Sequence, residues 1–318
     1  MTNERFLRPA LKLIPFIVSA GLIYFLIKRI GIEKLASIPN QISLPYLLLA
    51  ILLDIPFVLL KSYKWKRVAL VSFPEMRYRD SVSSFLIGIG ASLFTPARLG
   101  ELARAAAFKQ KKTSALALAF TDKLIDATGL GLLFVLSSLW LNWKIGIAVF
   151  SAITVLIAFL FLYVYSTKSF LSIRLLPFFS HLISALETPL KLRPSLLLSS
   201  LFLSIVCFFM LMLQFYVILS GITKVSFTSV LIGLPIILVG SMLPVSVAGL
   251  GLREMIASVV MVKFRITQAQ AVTASFLLFF INGFLPGLVG VIIGAGKIRA
   301  CLCVARRQGR YPSSSAYL

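Results

Sequence analysis

Five acids and four bases stand inside stretches of sequence that are otherwise strongly apolar: Asp54, Glu101, Asp122, Asp126 and Glu254 against Arg98, Arg104, Lys123 and Arg253. A charge at membrane depth costs on the order of 3 kcal/mol on insertion scales, so such groups persist where they pair or hold a charged ligand. Two clusters are dense. Pro96-Ala97-Arg98-Leu99-Gly100-Glu101-Leu102-Ala103-Arg104 joins a proline to three charges, and Pro244-Val245-Ser246-Val247-Ala248-Gly249-Leu250-Gly251-Leu252-Arg253-Glu254 repeats the logic. Pro96, Gly100 and Pro244 are read as helix breaks, since proline removes an N–H and fits only the first turn of a new helix. A helix starting at such a break offers free amides and the positive end of its dipole, which suits a phosphate or carboxylate. Glu101 and Arg104 are three apart and are expected to pair, leaving Arg98 as the freer cation. Gly249 and Gly251 permit close backbone approach to a ligand, and Arg253 can grip an anion.

Asp122 and Asp126 lie four apart with Lys123 between them, so the two carboxylates share a helix face. Pairing with Arg98 or Arg104 is the expectation, and proton carriage the alternative. Asp54, beside Pro56, could take either role. Asn282, Gly283, Pro286 and Gly287 mark a close-packed or kinked helix. Bond-making chemistry finds no support: His181 is the single histidine, no Cys–His pair is available, and Cys207, Cys301 and Cys303 have no metal-ligand spacing. No metal, cofactor or catalytic residue is assigned, and the chain is not read as an enzyme.

The elements that must position these residues are membrane helices. Of 318 residues, 59% are apolar and 13% charged, with a mean hydropathy of +0.99. A soluble domain of that size carries far more charge. The net charge of +22 sits in short clusters between apolar runs, which fits membrane topology and speaks against nucleic-acid binding. Apolar segments fall at about 9–27, 44–60, 81–107, 115–141, 145–165, 195–219, 228–262 and 271–296. Segments 81–107 and 228–262 carry the breaks and are expected to re-enter the membrane or to be broken helices, since irregular backbone at that depth survives only inside protein or beside water. With six spans, residues 1–12, 61–80, 109–112, 166–194 and 297–318 are cytoplasmic and hold most of the lysine and arginine, as the positive-inside rule requires. The N-terminal run is read as a retained helix.

The fold expected is therefore an all-α polytopic membrane protein of six spanning helices plus two re-entrant segments. Residues 1–141 and 145–296 have the same order of elements from opposite sides, an inverted repeat of the kind that builds transporters. One transmembrane domain covers 1–303, followed by a disordered cytoplasmic tail over 304–318, and both chain ends are cytoplasmic.

The motifs resemble those of the lysylphosphatidylglycerol synthase transmembrane-region family, the flippase-like module of the multiple peptide resistance factor. Pro-x-Arg-x-Gly-Glu-x-x-Arg is met by Pro96, Arg98, Gly100, Glu101 and Arg104; an acid-Arg-Leu-x-Asp stretch is met by Asp122-Lys123-Leu124-Ile125-Asp126 with lysine for arginine; Pro-x-Ser-x-Gly-Gly-Leu-Gly-x-Arg-Glu is met from Pro244 to Glu254 with Ala248 for the first glycine. The resemblance implies a module of a bacterial or archaeal cytoplasmic membrane that moves an anionic, amino-acylated or isoprenoid-phosphate lipid between leaflets. Residues 297–318 are too few for an aminoacyl-transferase domain, so synthase activity is not expected. The partner is then a phospholipid or polyisoprenyl phosphate headgroup; the oligomeric state is left open. The competing expectations are a proton-coupled transporter of a small anionic solute, a membrane enzyme acting on a lipid phosphate, and a non-catalytic envelope-assembly protein.

Overall fold

The computed structural model describes residues 19–22, 24–28, 33, 42–95, 98–108, 112–141, 193–242 and 246–307. The elements they form are all helical: α1 (Leu44–Ala69), α2 (Tyr78–Ser92), a 3₁₀ arm (Leu99–Ala107), α3 (Lys112–Leu141), α4 (Pro194–Ser220), α5 (Phe227–Ser241), α6 (Leu252–Val260), a 3₁₀ turn (Met261–Phe264), α7 (Gln268–Phe279), a π turn (Phe280–Phe284) and α8 (Leu285–Arg307). Leu44–Ala69, Thr113–Leu141, Pro194–Ser220 and Gln268–Gly296 are each long and apolar enough to cross a bilayer. The chain is a multi-pass membrane protein. Of the two remaining spans expected, 9–27 is described only in part, where it is helical, and 145–165 lies outside the described residues.

Each long helix faces two solvents. On α1 the lipid-side residues Leu48, Leu52, Ile55, Leu59 and Tyr63 are exposed, while Ala50, Asp54, Phe57, Lys61, Lys64 and Val68 are buried at the same three-to-four spacing. The apolar side chains thus face lipid and the charges face protein. α1 and α4 run antiparallel: Ser43 N–H donates to the Gly221 carbonyl at 3.2 Å, Gln214 Nε2 to the Ala50 carbonyl at 2.8 Å, and Lys64 Nζ to Ser204 Oγ at 3.1 Å. Phe57, Phe215, Ile218, Leu234, Ile237 and Met261 form the main apolar core between α1, α4 and α5.

Both broken segments are hairpins. In the first, Ser84 Oγ of α2 donates to the Arg104 carbonyl of the 3₁₀ arm at 2.9 Å. A Cβ at Gly88 would stand 2.8 Å from the Glu101 carbonyl oxygen, and Gly100 abuts the backbone of Ala91 and Ser92. In the second, Gly240 of α5 abuts Ile256 of α6, and a Cβ at Gly233 would stand 2.7 Å from Met261 Sδ. Glycine brings the two arms together in each case. The tips meet, with Ala248 N–H donating to the Thr95 carbonyl at 3.2 Å. Pro96 and Pro244 lie outside the described residues.

Each hairpin is backed by a long helix from the other half: α2 packs on α8 and α5 packs on α3. At the first seam a Cβ on Gly90 would stand 2.8 Å from the Gly287 carbonyl oxygen, and Gly290 abuts the Leu86 carbonyl. Gly287 and Gly290 of α8 are thus packing residues, as expected at Gly287, and the π turn just before it gives the irregular helix read at Asn282-Gly283. Two boundaries move. α1 continues to Ala69, so Lys61 and Lys64, assigned above to a cytoplasmic loop, lie inside the bundle. α8 continues to Arg307, past the residue 304 at which the tail was placed; 308–318 lie outside the described residues.

Candidate functional site

The 3₁₀ arm sets its charges at the tip of the first hairpin. Arg98 caps it in the left-handed region, with φ 53°, and the Gly100 amide is satisfied by Thr95 Oγ1 at 2.7 Å. Lys123 Nζ of α3 donates to the Arg98 carbonyl at 3.0 Å and to Glu101 Oε2 at 3.1 Å. The expected Glu101–Arg104 pair does not form. Arg104 instead turns into the protein, with Nη1 2.6 Å from Asp122 Oδ2 and its guanidinium 4.7 Å from the centre of the Trp65 ring. Competition from α3, which presents a cation and a carboxylate side by side, redirects both partners.

Beneath lies a network the sequence reading missed. Lys64, wholly buried, stands 2.9 Å from Asp122 Oδ1 and 2.5 Å from Asp126 Oδ1. Lys61 reaches Asp126 Oδ2 at 2.8 Å and lies 5.1 Å above the Phe208 ring. Asp122 and Asp126 do share a face, and both take structural partners; Asp126's are Lys61 and Lys64 of α1 and Ser204 of α4 rather than the 3₁₀ arm. Counting Lys61 and Lys64, Lys61, Lys64, Arg98, Arg104 and Lys123 face Glu101, Asp122 and Asp126, an excess of two positive charges.

These groups line one side of a cavity of about 130 Å³, bounded by Lys61, Arg98, Glu101, Arg104, Lys123 and Asp126. Phe57, Leu130, Phe208, Leu211 and Phe279 close the apolar side. A cavity of that volume has room for a headgroup the size of a phosphate. Among the described residues Arg98's guanidinium has no hydrogen-bond partner, and Gly283 of the π turn leaves it space, with Nη2 3.8 Å from the position of a Cβ there. Arg98 is thus left without such a partner, although the Glu101–Arg104 pair from which that was expected does not form.

The second cluster is placed differently. Arg253 and Glu254 are buried and pair with each other; Arg253 Nε also donates to Ser275 Oγ at 3.1 Å, and its guanidinium lies 5.0 Å from the Phe279 ring. Neither bounds the cavity. The amides near the break are taken as well: Gly251 N–H by Glu254 Oε2 at 2.7 Å, Val247 N–H by Ser19 Oγ at 2.8 Å, and Ala248 N–H by Thr95. These three amides are therefore not free to meet a ligand. Gly249 and Gly251 adopt φ of 79° and 81° and serve the turn. Ala248 shares that turn at φ 52°, a conformation that costs a Cβ-bearing residue about 1–2 kcal/mol. Ala248→Gly is expected to stabilise the protein by about 1 kcal/mol, read as a raised unfolding temperature in detergent.

Asp54 forms a third group at the α1–α4 seam, with Asn282 and Gln214. Lys61, Lys64 and Gln214 could have been found from phase alone, because they recur with the buried residues of their helices. A family model described as the lysylphosphatidylglycerol synthase TM region matches residues 12–290. No curated protein matches the chain.

Proposed function

Since the chain belongs to the lysylphosphatidylglycerol synthase TM region family, we propose that it is a lipid translocase that carries an anionic headgroup through the cavity beneath the first hairpin. The observation that carries this reading is the unpartnered Arg98 guanidinium in a half-charged, half-apolar cavity with two positive charges in excess. A phosphate would accept from Arg98, with Lys61 and Lys123 as neighbouring charges. Glu101 and Asp126 compete for those lysines, so the anion is held without being trapped. Phe57, Phe208, Leu211 and Phe279 favour an amphiphile over a hydrated soluble anion. Arg253 and Glu254 anchor the second hairpin to α7.

The halves are read as an inverted repeat. α1 and α4 span 26 and 27 residues, α2 and α5 both span 15, and the 3₁₀ arm and α6 both span 9. The antiparallel α1–α4 pair and the exchanged backing of the hairpins are what a two-fold axis in the membrane plane would generate. Rocking about it would expose the cavity to each leaflet in turn, with acyl tails left in the bilayer. The membrane proposed is a bacterial or archaeal cytoplasmic membrane, with both chain ends cytoplasmic.

Arg98→Ala tests the mechanism in vesicles containing fluorescent phosphatidylglycerol. Removing a charge-assisted hydrogen bond, about 1.5–3 kcal/mol, should slow transfer on the order of tenfold or more. Transfer at the wild-type rate would refute the proposed grip.

A further inference from the structure

Among the described residues, each buried or half-buried carboxylate in the bundle has a cation beside it except one. Among the described residues Glu101 faces Lys123, Asp122 faces Lys64 and Arg104, Asp126 faces Lys61 and Lys64, and Glu254 faces Arg253. Asp54, 9% exposed, has only amide partners: Asn282 Nδ2 at 3.0 Å from its Oδ1, and Gln214 beyond, whose Oε1 lies 3.4 Å from the same Asn282 nitrogen. Asp54 stands roughly 15 Å along α1 from its start, the middle of a 30 Å hydrocarbon layer. An unpaired charge there is costly.

The repeat shows what is missing. Counted from the helix starts Leu44 and Pro194, Lys64 and Gln214 hold the same place, as do Asp54 and Ser204; counted from Lys112 and Gln268, so do Asp126 and Asn282. The triad Lys64–Asp126–Ser204 therefore has a counterpart in Gln214–Asn282–Asp54. Both are closed by short polar contacts, in the first at 2.5 Å from Lys64 Nζ to Asp126 and 3.1 Å to Ser204. In the first triad the positive charge is a fixed ammonium. In the second, glutamine and asparagine replace lysine and aspartate, and the negative charge has moved to the third corner.

We infer that a single exchangeable monovalent cation, Na⁺ or a proton, occupies the second triad where Lys64 supplies its ammonium in the first, and that its uptake at Asp54 drives lipid movement. The ligand set exists. Gln214 Nε2 is spent on the Ala50 carbonyl at 2.8 Å, which aims Oε1 inward. Half a rotation of the Asn282 amide brings its oxygen to join Gln214 Oε1 and Asp54 Oδ1. Asn282 sits in the π turn, a form that recurs at binding sites, and also lines the lipid cavity, which couples the two places. Among the described residues no other charged group competes: the elements packed on Asp54 present Gln214 and Asn282, while Lys61, Lys64, Asp122 and Asp126 engage one another.

The driving role rests on the translocase reading; cation binding does not, and two measurements separate them. The full chain in detergent is unfolded thermally in NaCl against choline chloride at fixed pH, and across pH in choline chloride. Wild type should shift by roughly 2–4 °C in one series, identifying Na⁺ or the proton, and Asp54→Asn should lose that shift. Gln214→Lys, which installs the fixed charge of the first triad, should fold and be equally indifferent. In phosphatidylglycerol vesicles an inward gradient of the same cation should accelerate transfer several-fold in wild type and not in either variant. A cation-insensitive wild type, or variants that respond as it does, overturns the inference. Cation-dependent unfolding without any lipid transfer would uphold the site and defeat the translocase reading instead.

Discussion

Asp122→Ala is expected to cost on the order of 3–5 kcal/mol of stability, whereas Lys64→Met costs less than half as much. Both residues are almost wholly buried and they touch, so a count of lost contacts would rank the two alike or favour Lys64, which also reaches Asp126 and Ser204. Charge reverses the order. Lys61, Lys64 and Arg104 share Asp122 and Asp126, one cation in excess. Removing Asp122 raises that excess and strands Arg104 against the Trp65 ring without its carboxylate. Removing Lys64 leaves Lys61 with Asp126 and Arg104 with Asp122, two matched pairs. Denaturant unfolding in mild detergent gives both values, and equal costs would mean that charge balance does not govern this network.

Gly290→Val is expected to cost about 3 kcal/mol and to lower the yield of folded protein, although no charge or hydrogen bond is touched. A Cβ at Gly290 collides with the backbone of Leu86 rather than with a side chain that could swing away. Relief requires α8 to move off α2, and α2 carries the hairpin that bears Arg98 and Glu101. Gly294→Val should be tolerated by the same measurement, because a Cβ there would meet only Ile87 Cγ1 at 3.8 Å.

Much of the architecture was legible because membrane depth punishes irregularity. Thr95-Pro96 and Ala248-Gly249 interrupt apolar runs next to charges; α2 ends at Ser92 just before the first, and the chain turns at the second. Asp122 and Asp126 were legible from spacing. Lys61 and Lys64 were not, since four basic residues between Lys61 and Arg67 look like the flank that ends a span. Their period gives them away: Asp54, Phe57, Lys61, Lys64 and Val68 share the buried face of α1. The partners of Glu101 and Arg104 were beyond local reading, because spacing within one arm says nothing of what α3 offers across the gap. Arg253 looked free for the same reason; its ring and hydroxyl partners, Phe279 and Ser275, come from a later helix.

The seam between α2 and α8 also bears on how the protein is made. The first hairpin leaves the ribosome well before the helix that backs it: Leu285 follows Ser92 by nearly 200 residues, roughly 10–40 s at ordinary rates of synthesis. Its tip likewise waits for Ala248, whose amide meets the Thr95 carbonyl. During that interval the hairpin has α1 and α3 beside it, through Trp65 to Ser84 and Arg104 to Asp122, but not α8. Packing around the first hairpin is therefore completed only once α8 is made, and a chain stalled before Leu285 lacks the helix that backs α2.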